Sequence, residues 1–131
     1  VWTVEHIFPQ GKNIPKHWVE MISNGDREKA KDIQDNWVDC LGNLTLTGYN
    51  SVLSNHSFEK KQNKSDATIL GNKIKIGYQN GMALNNMEFP IGGKQITLAN
   101  APKWSQEKIE ARNNVMADML VKLFAFKGEK V

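Results

Sequence analysis

Three short stretches of this 131-residue chain carry side chains that could do chemistry together. They are Glu5-His6-Ile7-Phe8-Pro9-Gln10, Leu41-Gly42-Asn43-Leu44-Thr45-Leu46, and Asn50 to Lys60. An imidazole ordinarily titrates at about pH 6.5, so His6 is the natural group to take a proton from water at physiological pH. Glu5 offers a carboxylate and Asn50 a neutral amide oxygen. Such hard oxygen ligands suit a cation that keeps several waters, as magnesium does. A cation of that kind beside an imidazole base would neutralise a phosphoryl group and support its leaving oxygen, which is the chemistry of phosphodiester hydrolysis. Each stretch alone has a plainer reading: a structural acid–imidazole pair at a strand end, a turn asparagine, a solvated lysine pair. The chemistry lies in the set and its order.

The elements around these residues must position them. Val1 to Phe8 reads as a strand stopped by Pro9, and Gln10 to Pro15 as a loop. A short helix is expected from Lys16 to Ile22, with a break at Ser23-Asn24-Gly25. The next helix, capped by Asp26 or Asn24, places Ala30, Ile33, Trp37, Val38 and Leu41 on one apolar face, with Gly42 ending it in a left-handed conformation. Asn43 to Thr47 alternates as a second strand closed by Gly48. A third helix is expected from Asn50 to Lys61, with Leu53 and Phe58 inward and Glu59, Lys60 and Lys61 exposed. Residues 62–103 are less legible: Ile74 to Ile76 fits a helix end or a short strand, Gly77 to Asn86 a loop, and Ile91 to Leu98 a small hairpin arm. Ser105 caps a last helix in which Ile109, Arg112, Met116, Met119, Leu120, Leu123 and Phe124 trace a core stripe to about Phe126. Adjacent strand residues face opposite sides, so Glu5 and His6 can share a site only if the strand distorts near Pro9.

Composition narrows the classes. Apolar residues at 40% and charged residues at 24% are ordinary for one globular domain. No apolar run reaches the roughly 20 residues of a membrane span. The single cysteine, Cys40, excludes an internal disulfide and a Cys-rich zinc site, and it is expected as a small buried hydrophobe. Residues 1–50 hold 5 Lys/Arg against 7 Asp/Glu, whereas residues 51–131 hold 12 against 7, a basic half that suits a polyanion. The opening Val1-Trp2-Thr3-Val4 has neither a starting Met nor a basic signal region, so residues 1–131 are expected to be one domain cut from a longer protein, and the single thiol fits a reducing cytoplasm. Trp2, Trp18 and Trp37 are expected in the core, and His17 at the surface or in packing.

Glu5 to Gln10 resembles the acidic-His-Ile-x-Pro-Gln segment that opens many HNH nuclease motifs, and Asn43 resembles their central asparagine. The wording is similar above all to the C-terminal nuclease domain of GmrSD-type modification-dependent restriction enzymes. That branch is recognised by Glu-His-Ile-x-Pro-Gln, Leu-Gly-Asn-Leu-Thr-Leu, an Asn-x-x-x-x-Asn pair (here Asn50 and Asn55), Phe-x-x-Lys (Phe58 and Lys61, or Lys60 one residue earlier), and a late Trp104 before a helix with Ile109 and Arg112. The resemblance runs from residue 2 to about 124. It implies an α+β fold, a ββα-metal core with inserted helices and a long C-terminal helix. It implies His6 as general base, Asn43 tying down the loop after the first strand, and a divalent metal held by Glu5 and Asn50, with Asn55 as the next candidate. Magnesium is expected first, then manganese or another transition metal; His56 as a third ligand would favour zinc or nickel. Lys60 and Lys61 would reach a flanking phosphate. The substrate implied is DNA, possibly modified, in a prokaryotic restriction or phage-defence system. A separate N-terminal nucleotide-hydrolysing module is also implied, and these residues hold no Gly-Lys-Ser/Thr phosphate loop of their own. Two other readings stay open: a nucleic-acid-binding module without activity, and an RNase or toxin nuclease using the same site, since attack by water does not need the 2′-hydroxyl.

Overall fold

A computed structural model describes residues 2–48, 53, 55–69 and 72–129, without the side chains of 66–69, 72, 73 and 126–129. Strand β1 (Thr3–His6) pairs antiparallel with β2 (Leu44–Thr47), Glu5 opposite Thr45 and His6 opposite Leu44. The pairing is regular through both residues, so Glu5 turns inward while His6 lies on the other face. β1 is shorter than the expected Val1–Phe8. Beyond His6 the backbone leaves the ladder because Asn43 captures it: Ile7 N–H donates to the Asn43 carbonyl at 2.9 Å and Phe8 N–H to its Oδ1 at 2.8 Å.

Between the two strands run α1 (Lys16–Ser23), α2 (Arg27–Trp37) and a 3-10 turn at Leu41–Asn43. Asp26 caps α2, accepting from Lys29 N–H at 3.1 Å. That helix ends at Trp37, not at Leu41, and Gly42 is not its left-handed terminator, being absent from the positive-φ residues. Gly42 is required for a different reason: a Cβ there would lie 1.9 Å from the Ile109 carbonyl oxygen, where the last helix crosses the turn.

Helix α3 (Phe58–Asn63) covers the end of the helix expected from Asn50 to Lys61, and Leu53, helical and buried, lies ahead of it. Residues 49–52 and 54 lie outside the described residues. Asn55 to Ser57 are not helical, because Ser57 is extended and its Oγ opens a new helix by accepting from Lys60 N–H at 3.3 Å. A ribbon of β3 (Ser65–Ile69) and β4 (Asn72–Lys75), a helical turn α4 (Ala83–Asn86), and a hairpin of β5 (Phe89–Ile91) and β6 (Lys94–Ile96) follow. The hairpin turns on Gly92-Gly93, both at positive φ, as a tight two-residue connection needs. Helix α5 (Gln106–Glu129) closes the chain, Ser105 Oγ accepting from Lys108 N–H at 3.3 Å.

The core gathers Trp18, Phe58, Tyr78 and Trp104 around Ile7 and Phe8, with Phe58 stacked on Trp104 at 5.4 Å. Of the tryptophans expected there, Trp18 is fully buried, Trp37 is half-buried, and Trp2, just before β1, is 61% exposed, a correction to its expected burial. Cys40 packs half-buried against the core. α5 also departs from expectation. Ile109 and Arg112 are buried, but Met119, Leu120, Leu123 and Phe124 are exposed. A helix of 24 residues is roughly 36 Å long and outruns the Leu41–Asn43 turn and β5 against which its first half packs. The fold is α+β, and no helix among the described residues is long and apolar enough to cross a membrane.

Candidate active site

His6 ends β1 with its ring partly open to solvent, its Nε2 3.0 Å from Oδ1 of Asp39, which is itself largely exposed. A carboxylate only accepts, so this contact puts a proton on Nε2, and in the neutral ring the lone pair then lies on Nδ1. That is the state in which an imidazole can receive a proton. The backbone beneath it is fixed from below: the Lys61 ammonium donates to the carbonyls of His6 and Ile7, both at 3.0 Å.

Asn43 is fully buried and uses its whole amide. Oδ1 accepts from Phe8 N–H at 2.8 Å and Trp104 Nε1–H at 3.2 Å, while Nδ2 donates to the carbonyls of Phe8 at 3.0 Å and Val38 at 2.9 Å. It thus clasps the loop after β1 to the end of α2 and the late tryptophan, although no bond to the His6 ring is made. Arg112 holds the same turn from the other side, donating to the carbonyls of Gly42 at 3.0 Å and Leu44 at 2.7 Å. Burial lowers its pKa to about 10.

Glu5 and Lys61 were expected at the surface chemistry and are found together in the interior. Their oxygen and nitrogen are 3.1 Å apart, with the lysine side chain fully sealed and the carboxylate nearly so. The Tyr78 hydroxyl donates to the same Glu5 oxygen. Burial raises the Glu5 pKa against the opposing pull of Lys61 and Tyr78, and burial lowers that of Lys61 against the pull of Glu5. Tyr78 is pushed well above its usual value by burial and by the adjoining carboxylate. Lys61 therefore has no reach to a phosphate, which corrects its expected exposure. The reason is packing: a helix beginning at Ser57 directs Phe58 and Lys61, three residues apart, to the same inner face.

The remaining candidates lie apart from this pair. Asn50 is outside the described residues. Asn55 and His56 are exposed in the loop before α3, the Asn55 carbonyl accepting from His17 Nε2 at 3.2 Å and the His56 carbonyl from Trp18 Nε1–H at 2.9 Å. Lys60 is exposed on α3, as expected. Among the described residues no three His, Cys, Asp or Glu side chains gather as a cation site. Of the expected metal ligands, Glu5 is turned inward onto Lys61 and Tyr78, Asn55 is exposed, and Asn50 lies outside the described residues.

Sequence reasoning missed Asp39 and Tyr78. Neither has a spacing signal: Asp39 lies 33 residues from His6, and Tyr78 lies 73 from Glu5. Only the register of β1 on β2 and the turn that precedes β2 bring Asp39 to the imidazole.

No curated protein matches the chain, and no solved structure does. Residues 1–119 match the family described as GmrSD restriction endonucleases, C-terminal domain, a span that includes His6, Asp39, Asn43 and the Glu5–Lys61–Tyr78 cluster. The chain belongs to the family of GmrSD restriction endonuclease C-terminal domains.

Proposed function

We propose that this domain is an HNH-type, divalent-metal-dependent endonuclease that hydrolyses DNA phosphodiester bonds as the nuclease part of a restriction, phage-defence enzyme working inside a prokaryotic cell. The observation that carries the reading is His6: solvent-accessible, proton assigned to Nε2 by Asp39, and seated on a backbone clamped by Lys61 and Asn43. In this reading Nδ1 takes a proton from the attacking water as its oxygen bonds to phosphorus and the bond to the leaving oxygen breaks. Asp39 holds the ring's orientation and stabilises the imidazolium that forms. A hard divalent cation, magnesium first and manganese next, would supply charge neutralisation at the phosphoryl group. Asn50, with Asn55 behind it, is the oxygen donor the sequence nominates, and Glu5 would have to leave Lys61 to join it. Selection of modified DNA is assigned to a nucleotide-hydrolysing module elsewhere in the full-length enzyme.

Supercoiled plasmid incubated with the domain and magnesium or manganese tests the reading. Nicking that EDTA stops and His6→Ala abolishes supports it. Plasmid left intact with every metal, yet retarded on a gel, would favour a binding module, and cleavage confined to RNA would favour an RNase.

A further inference from the structure

Two adjoining depressions of about 530 and 330 Å³ lie between the start of α1 and the length of α3. His17, Asn55, His56, Ser57 and Lys60 line the first. His56, Lys60, Asn63, Lys64 and Ser65 line the second, so His56 and Lys60 form the shared wall. Every ionisable side chain in the described lining is a histidine or a lysine. The chain as a whole carries 14 Asp and Glu against 17 Lys and Arg, so a lining free of carboxylates departs from the average surface. The sequence from Gly48 to Phe58 contains no acidic residue either.

The groove is built before any ligand arrives. Its floor loop is bolted to α1 by the bonds from His17 and Trp18 to the Asn55 and His56 carbonyls, and Ser57 caps α3. The Lys60 and Lys64 ammoniums make no ion pair among the described residues. On the far side of Ser57 the surface changes character, for the neighbouring depression there includes Glu20 and Glu59. The basic track therefore has a direction, running from His17 along α3 toward Lys64. Helix α3 carries both the exposed Lys60 of this groove and, on its inner face, the Lys61 that holds the His6 and Ile7 carbonyls.

The geometry points to this groove as a phosphate track that takes two consecutive phosphates of one nucleic-acid strand beside the scissile bond. Lys60 with His56 contacts one, and Lys64 with the neutral donors Asn63 and Ser65 contacts the next. The described lining presents no Trp, Tyr or Phe on which a base could stack, so these residues supply register and affinity without reading sequence. The inference rests on the nuclease reading above and deepens it by naming the substrate's path.

The test is binding of a fluorescent DNA duplex to the 131-residue chain in EDTA across a salt series, paired with plasmid nicking in magnesium. Each lost phosphate contact lowers the slope of log K against log salt by about 0.9. Lys60→Ala/Lys64→Ala is expected to lower it by about 2, and to raise KM with kcat held. Lys103→Ala, in the acidic neighbouring depression, is expected to leave the slope as it was. If the double variant binds with the wild-type slope while DNA is still bound and cut, the track is overturned and the nuclease reading stands. If the wild-type chain neither binds nor cuts DNA, both fall.

Discussion

The Lys61 ammonium stands 3.1 Å from the Glu5 carboxylate with both side chains closed to solvent, and the same ammonium donates to the carbonyls of His6 and Ile7. A buried cation thus carries two roles, neutralising the acid next to the candidate base and fixing the backbone on which that base sits. Removing one partner of a buried ion pair leaves an uncompensated charge in the core, which costs about 3–5 kcal/mol. Lys61→Met is therefore expected to lower stability by that order. Adding Glu5→Gln to Lys61→Met should recover much of the loss, because no bare charge then remains. Urea midpoints of the two single variants and the double check this as a thermodynamic cycle. Additive losses would show that the pair does not act as a unit.

The same cluster sets a pH dependence. The folded-state pKa of Glu5 is raised above its ordinary 4.5, burial outweighing Lys61 and Tyr78. The folded state then binds this proton more tightly than the unfolded state does. Its contribution to stability is fully present below pH 4.5 and is lost as pH rises through the folded value. The wild type should accordingly lose stability relative to Glu5→Gln as pH climbs through that window. Denaturation of both proteins at half-unit steps from about pH 4 upward measures it. A wild type that instead gains on the variant would mean that Lys61 and Tyr78 outweigh burial.

Much of this was legible in the chain, and the division follows how far apart the partners lie. Asp26 before α2, Ser105 before α5 and Gly92-Gly93 in the hairpin are local signals, and each does its local task. The task of Asn43, tying down the loop after β1, came with the family resemblance, because an asparagine opening a strand reads by itself as a turn residue. The inward turn of Glu5 and the burial of Lys61 were not legible, because a lysine reads as solvated until the distant carboxylate that pairs with it is known. Lys61 lies three residues after Phe58 on one helix face and follows that ring into the core, where Glu5 meets its charge. The exposed second half of α5 was illegible for a related reason: an apolar stripe shows which face packs, and not how far along the helix a partner extends.

Gly42 allows a sharp test of the packing around the Asn43 turn. A methyl group there would meet the Ile109 carbonyl at 1.9 Å and the Asn113 backbone nitrogen at 2.6 Å, both backbone atoms that cannot rotate away. Gly42→Ala must push α5 off the turn and break the bonds from Arg112 to the Gly42 and Leu44 carbonyls. Overpacking and lost buried bonds together are expected to cost more than about 3 kcal/mol, beyond the usual range for a surface alanine. A melting temperature close to that of the wild type would contradict this crossing of helix and turn.

Asn43→Asp keeps the size and Oδ1 of the side chain but removes the donors to the Phe8 and Val38 carbonyls. Two buried acceptors lose their partner and a carboxylate enters the core, each unsatisfied group costing about 1–3 kcal/mol. Stability and nicking should fall together, since the loop after His6 is what the amide holds. Full activity in a stable Asn43→Asp protein would separate Asn43 from the site.

Asp39 offers the opposite case, a residue whose loss should leave the fold intact. It is 83% exposed, and a pair so open to water contributes little to stability. Its hydrogen bond to His6 Nε2 nonetheless assigns the imidazole proton and orients the ring. Asp39→Asn can still meet Nε2, but without the charge that supports an imidazolium, and its amide can turn a donor toward the ring and reverse the tautomer. A general base contributes roughly 10²–10⁴-fold to a rate, so losing its orientation should cost a part of that, about 10-fold or more in kcat, with KM nearly unchanged. Thermal denaturation should meanwhile match the wild type. His6→Ala should remove the whole general-base factor, and adding Asp39→Asn to it should then change nothing further, because a residue that acts through the ring has no effect once the ring is gone. A further loss in the double variant would mean that Asp39 touches the reaction by another route.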